Sequence, residues 1–244
     1  AGWKNQPVSE SPTVASTHSQ TLSRGIQMLE VLAEADSGIT IGELARVLGL
    51  HRSVTYRILR TLEDHGLVIR NEAGIVTLGS RMAYLARNVA AGLQTAVQPE
   101  LVDAANELGV TCFLAVLDHA ECITLLSAEP TAATAAVVQR PGSRHSLTVG
   151  APGLAIQSSL TEAEWHGLAP GIQPRPEVAL VGEFGYATSH DEVISGVSSV
   201  AVPLRIEGQS PATIAAVFVT GAADIPVIAA RLQRAVTRVT RHRG

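Results

Sequence analysis

Between Leu22 and Leu78 three apolar stripes at helical spacing are each followed by a glycine, and two short β-prone runs come after them. The first stripe is Leu22, Ile26, Leu29, Leu32 and Ala33, and Gly38 ends the segment behind it. In the second, Thr40 stands three residues before Glu43, a capping box. It opens a two-turn helix through Ile41, Leu44, Ala45 and Leu48 that Gly49 closes. A turn of about three residues leads to the third stripe, with Val54, Ile58, Leu59 and Leu62 inward and Gly66 at its end. The runs "LVIR" and "IVTL" then flank "NEAG", whose Asn, Glu and Gly suit a hairpin turn. Three helices with a tight turn before the third, followed by a hairpin, are the parts of a winged helix-turn-helix. The order constrains the fold more than any one element does.

The outward face of the third helix carries Arg52, Ser53, Tyr56, Arg57 and Arg60, and the wing adds Arg70. Residues 46–70 hold Arg46, Arg52, Arg57, Arg60 and Arg70 against Glu63 and Asp64, a local charge of +3 in a chain whose net charge is −4. Residues 19–90 carry eight arginines against seven acids, and residues 91–244 nine against fourteen. Focused positive charge of this kind suits phosphates. In a helix-turn-helix the second paired helix enters the major groove of duplex DNA, its N-terminal half nearest the base edges. Arg52 and Ser53 fall at that tip, where arginine can bond guanine in a bidentate fashion. Tyr56 is placed for a thymine methyl or a phosphate, and Arg57, Arg60 and Arg70 for phosphates. His51 reads as a helix-start residue. The alternative is a winged-helix module that docks on protein, with these arginines serving only solubility.

Residues 1–18 mix Pro, Ser, Thr and Gln without periodicity and are expected to form a flexible tail. The divisions expected after it are the winged helix over 19–79, a linker helix over 80–94 and an effector domain over 95–244. Met82, Leu85 and Val89 mark the linker's apolar side, a candidate dimer seam, and "PELVDAANELG" reads as a helix beginning at Pro99 and stopping at Gly109. Strands then follow in "VTCFLAVLD", "ECITLLSAE" and "AAVVQR". A short helix to about Ser159 and a capping box at Thr161 and Glu164 come next. A second capping box is read at Ser189 and Glu192, ahead of paired strands "VSSVAVPLRI" and "ATIAAVFVTG" and a closing amphipathic helix. The fold class is α+β.

With 46% apolar and 16% charged residues the chain can bury substantial cores, which excludes a mostly disordered protein. No run of 18 uncharged apolar residues occurs and no basic-then-apolar segment opens the chain, so a cytoplasmic protein with no membrane partner is expected. Cys112 and Cys122 sit ten residues apart without a companion CxxC or HxxxH, so no metal is expected. No phosphate loop, HExxH or spaced acid/base pair is present, and neither a catalytic residue nor a cofactor is expected.

The stretch "SRGIQMLEVLAEADSGITIGELARVLGLHRSVTYRILRTLEDHGLVIRNEAGIVTLGSRMAYLA" resembles the DNA-binding domain of the IclR family of transcriptional regulators. "GYATSHDEVISGVSSVAVP" followed by "AAVFVTGAAD" is similar to that family's effector-binding domain, a GAF-like fold with an antiparallel sheet. The resemblance spans Leu22 to the C-terminus. It implies a repressor or activator that binds operator DNA as a homodimer, extending in many members to a tetramer, and that responds to a small organic metabolite. The chain departs from the family pattern at several positions. Tyr56 stands where His is common and His51 where Pro is common. Leu154 replaces a lysine, Ser199 a frequent cysteine, Phe218 and Thr220 two frequent serines, and Ser189 a frequent acid.

The resemblance assigns Gly150, Ala151, Pro152, Ser189, Ser199, Phe218 and Thr220 to the effector site. "TVGAPG" enters a helix, so backbone N–H groups near Ala151 and Gly153 are candidates for receiving a carboxylate, although Pro152 removes one donor. Ser198 and Ser199 alternate on a strand, so one of them faces the cavity, and Ser199 matches the family position. The expected ligand is a small, largely apolar organic acid.

Overall fold

The computed structural model describes residues 19–35, 37–132 and 137–241; the tail expected over 1–18 lies outside them. The chain divides into two compact units between Val89 and Ala90.

In the first unit, α1 (Gln20–Glu34), α2 (Ile41–Val47) and α3 (Arg52–Asp64) pack over a three-stranded sheet of β1 (Ile39–Thr40), β2 (Val68–Arg70) and β3 (Ile75–Leu78), ordered β1-β3-β2. Thr40 and Glu43 form the expected capping box, each side chain holding the other's backbone N–H. Met28, Leu32, Leu44, Ile58, Leu59, Leu62, Val68 and Val76 make the core. Two inward faces differ from expectation. On α1 the buried row is Gly25, Met28 and Leu32, while Leu22 and Ile26 are exposed. On α3 Thr55 is fully buried, its hydroxyl donating to the His51 carbonyl, and Val54 is half-buried. β1 is too short to show a strand periodicity of its own.

The expected linker helix over 80–94 is interrupted. α4 (Arg81–Ala86) ends in a turn, and α5 (Ala91–Leu108) starts after Ala90, whose φ of 46° is left-handed. Apolar spacing runs across the break and so hides it. α5 also passes through Pro99 rather than starting there. Pro99 has no N–H to donate to the Thr95 carbonyl, and both residues are exposed.

The second unit is built on a six-stranded antiparallel sheet ordered β6-β5-β4-β9-β8-β7. Its strands are β4 (Thr111–Asp118), β5 (Glu121–Ala128), β6 (Arg144–Ser146), β7 (Ala187–His190), β8 (Val197–Leu204) and β9 (Ala212–Val219). α5 and α9 (Ile225–Arg241) cover one face, over Cys112, Leu114, Val200, Val202, Ile214, Ala216 and Phe218. α6 (Gly150–Gln157) and α8 (Glu177–Phe184) cover the other, over Phe113, Ala115, Ala201, Ala215 and Val217. α7 (Glu162–Leu168) opens with the expected Thr161/Glu164 capping box.

Three expectations fail here. Ser189 does not cap a helix: it lies in β7, opposite Ser199 of β8, and cross-strand pairing prevails over the local S-x-x-E signal. "AAVVQR" is not a strand where it is described, since residues 137–140 have no regular structure; residues 135–136 lie outside the described set. β6 and α8 occupy stretches that read as loop or gave no helical stripe, and Val181 is the buried residue of α8.

Arg231 on α9 is 3% exposed and pairs with Glu100 and Glu107 of α5, while Arg238 reaches Glu100 and Arg234 reaches Glu107. Removing its guanidinium leaves Glu100, whose side chain is 14% exposed, without its buried partner. Arg231→Ala is expected to cost about 3 kcal/mol, and Arg231→Met, which keeps the packed stem, clearly less. The shift in the urea transition, followed by the fluorescence of buried Trp165, measures both.

Candidate functional site

The first unit offers a charged helix face. Arg52, Ser53, Tyr56, Arg57 and Arg60 are all exposed on α3, opposite the row of Thr55, Ile58, Leu59 and Leu62 that roots it in the core. The helix begins at His51 without a side-chain cap; instead His51 Nδ1 and Ser53 Oγ lie 3.1 Å apart. Ser53 therefore has a partner within the chain. Arg52, Arg57 and Arg60 form no ion pair among the described residues, so three guanidinium groups leave the surface without an internal counter-charge. Arg70 differs, because its Nε lies 3.1 Å from Glu63 and its guanidinium stands 5.7 Å from the centre of the Tyr56 ring. That ties the wing to the helix and cancels one positive charge.

The second unit holds a cavity of about 50 Å³ between the sheet and the N-terminus of α6. Phe113, Pro152, Val193, Ile194, Val197 and Val217 form its apolar wall. Ser199 and Ser189, cross-strand neighbours, face it with Gly150, Gln139 and His145. Gln139 donates to the Thr124 hydroxyl. Ser199 Oγ and His145 Nε2 are buried atoms that have no hydrogen-bond partner among the described residues. Burial holds the His145 pKa below the ordinary histidine value, against an opposing pull from Glu121, so the ring is neutral near pH 7. A buried polar atom left unpaired costs free energy that a ligand recovers by pairing it.

Gly150 has a φ of 80°, and a side chain there would stand 3.0 Å from Val193 Cγ2. The α6 N-terminus already holds an anion: the Gly150 N–H donates to Glu192 Oε2 at 2.9 Å. Arg175 binds Glu192 through both terminal nitrogens and Glu177 as well. The Arg175 guanidinium holds the Glu192 carboxyl below the usual carboxylate range despite partial burial.

Of the residues expected at the effector site, Gly150, Pro152, Ser189 and Ser199 line the cavity. Ala151 is fully buried in the cluster beside it. Phe218 does not reach it: it packs on the opposite face with α5 and α9, and Val217 takes the inward position. Thr220 is exposed at the strand end, bonded to Ser198 and near His190 Nδ1. β9 is buried along both faces, so no polar alternation marked which of its residues point inward. His145 was missed because β6 lies in a Gly- and Pro-containing stretch. The two thiols are packing residues; burial pushes both up to about 12. Among the described residues no cluster of His, Cys, Asp and Glu could hold a metal ion, and no helix is long and apolar enough to cross a membrane.

Residues 21–72, which include α2, α3 and the first wing strand β2, match the IclR helix-turn-helix domain. The HTH-type transcriptional regulator XynR of Escherichia coli is 27% identical over 202 residues, covering 76% of this chain and 80% of its own. Residues 21–72 are thus an IclR-type helix-turn-helix domain. Solved members share the fold. An IclR regulator from Alicyclobacillus acidocaldarius superposes with a TM-score of 0.80 at 22% identity, over 93% of this chain and all of that one. An IclR homologue from Microbacterium hydrocarbonoxydans, complexed with 4-hydroxybenzoate, gives 0.78 at 22% identity, over 91% and 98%. The matched helix-turn-helix segment and the name of the Escherichia coli relative are those of transcriptional regulators that bind DNA. The relatives are regulators rather than enzymes, in keeping with the inert thiols.

Proposed function

We propose that this protein recognises an operator duplex through α3 and its wing, and that a small molecule in the C-terminal cavity alters that binding. The observation that carries the first part is the exposed row of Arg52, Arg57 and Arg60, none with an ion-pair partner among the described residues. Arg52 and Ser53 at the tip read base edges; Arg57 and Arg60 hold phosphates, with Tyr56 between them and Arg70 as a weaker contact beside Glu63. A domain boundary near residues 80–94 separates reader from sensor. Exposed Leu22, Ile26, Tyr84 and Leu85 supply apolar surface for a homodimer, which sets two recognition helices about 34 Å apart on successive major grooves. Assembly to a tetramer would add further half-sites.

The effector is a small, largely apolar molecule with one polar handle, bound among Phe113, Pro152, Val197, Ser189, Ser199 and His145. The relative that holds 4-hydroxybenzoate supports this size and character. The free cavity is smaller than the roughly 150 Å³ that accommodates benzene, so entry requires the wall around Val193 and Ile194 to shift. Ligand binding then shifts the population between arrangements that do and do not present both helices to DNA.

Fluorescence anisotropy with the duplex upstream of the protein's own gene and a scrambled duplex, at two salt concentrations, tests the reading. Selective binding that weakens steeply with salt is the expected result. If neither that duplex nor fragments selected genome-wide are preferred, sequence-specific binding is excluded and the docking module takes its place.

A further inference from the structure

Resting on the effector reading above, we infer that the cavity selects an uncharged ligand, whose hydroxyl or carbonyl pairs with His145 Nε2 and Ser199 Oγ, over a carboxylate of the same skeleton. Three features of the cavity combine to this end. Its two unpaired polar atoms belong to a hydroxyl and a neutral imidazole, and each can donate or accept according to its orientation or tautomer. Among the described residues no Arg or Lys lines it. The helix N-terminus, the remaining natural seat for a carboxylate, is occupied by Glu192 through the Gly150 N–H.

Glu192 is itself balanced by Arg175, which also serves Glu177, so one guanidinium faces two carboxylates and the trio carries a charge of −1. A ligand carboxylate beside Gly150 would have to displace Glu192 or sit against it, desolvated and without a cation. A hydroxyl, phenol, ketone, ester or lactone meets neither cost and satisfies the orphaned atoms. His145 is central because it touches the same corner: a side chain on Gly150 would lie 3.7 Å from His145 Nε2. The charged groups around it are Glu121 on the paired strand β5, Arg144 beside it on β6, which pairs with Glu121, and Glu192 across Gly150. Each of these charges is already paired, Glu121 with Arg144 and Glu192 with Arg175, so among the described residues no free cation stands there to receive an incoming anion.

The test uses the full chain and matched pairs of probes: benzyl alcohol against benzoate, 4-methylphenol against 4-hydroxybenzoate, and γ-butyrolactone against butyrate, titrated by ligand-observed NMR. The neutral member of at least one pair is expected to bind about tenfold or more tighter than its carboxylate. His145→Leu and Ser199→Ala, each confirmed folded by circular dichroism, should weaken that neutral probe about fivefold or more. Lowering the pH from about 7.5 to about 5.5, across the ordinary histidine range, should not tighten it, whereas an anion would gain from a protonated imidazole. Preference for the carboxylates, tightening at low pH and lost in both variants, overturns the inference and leaves the effector cavity standing. Binding of neutral probes that neither variant disturbs overturns the cavity as the effector site. Failure of every neutral probe to bind overturns the inference as well.

Discussion

Gly153→Ala is expected to destabilise the C-terminal unit by about 3 kcal/mol or more, while Gly182→Ala, a chemically identical change, should be neutral or stabilising by up to about 1 kcal/mol. A Cβ on Gly153 would stand 2.3 Å from the Leu147 carbonyl oxygen, a backbone atom with no rotamer to yield. Relief requires α6 to move off the segment that precedes it. That movement stretches the 2.6 Å bond from Gln157 Nε2 to the same carbonyl, made by a side chain that is itself buried. It also lifts Ala151, Leu154 and Ala155 from Phe113, Ala201 and Ala215 on the sheet, an interface of small side chains without slack. Gly182 sits in α8 with nothing within 4 Å of its added methyl, so only the helix propensity gain remains. Urea unfolding followed at Trp165 compares the two variants, and equal stability would show that the close approach at Gly153 is not what fixes α6. Because Gly150 and Pro152 ride on α6, any folded Gly153→Ala protein should also bind its effector more weakly.

What could be read from the residues depended on whether the signal was local. The Thr40/Glu43 and Thr161/Glu164 boxes are each made by residues three apart, and both appear with their paired hydrogen bonds. Gly49, Gly66 and Gly109 end their helices with left-handed backbone, a requirement that glycine announces by itself. Ser189 and Glu192 have the same spacing, yet β8 pairs with Ser189 and α6 claims Glu192 from 42 residues away. Nothing local could show either partner. The cavity suffered in the same way: alternation showed that one of Ser198 and Ser199 faces inward and the family position chose Ser199, but β9 is apolar on both faces, and Phe218 and Val217 could be told apart only by register. His145 became visible as a site residue once β6 was paired with β5 and its Nε2 was found without a partner.

Replacing Arg57 and Arg60 together with alanine is expected to weaken operator and scrambled duplex alike by about a hundredfold or more at low salt, and to flatten the dependence of log affinity on log salt by about 2 per protein copy bound. Both guanidiniums are exposed and neither forms an ion pair among the described residues, so their whole charge is available to phosphates and no internal partner softens the loss. Arg70→Ala should do less, since Glu63 already offsets that charge and the Tyr56 ring holds the side chain. Arg52→Ala belongs to another class. It stands at the first position of α3, and if it reads base edges as proposed, its loss should narrow the gap between operator and scrambled duplex by about 1–3 kcal/mol while binding to the scrambled duplex falls far less. The two effects separate in one anisotropy series over salt. Parallel losses on both duplexes from Arg52→Ala would make it one more phosphate contact and move sequence choice to Tyr56 and Ser53. The 3.1 Å contact of Ser53 with His51 bears on that outcome, because a hydroxyl already engaged at the helix start has less to offer a base, and most of the discrimination would then fall to Tyr56.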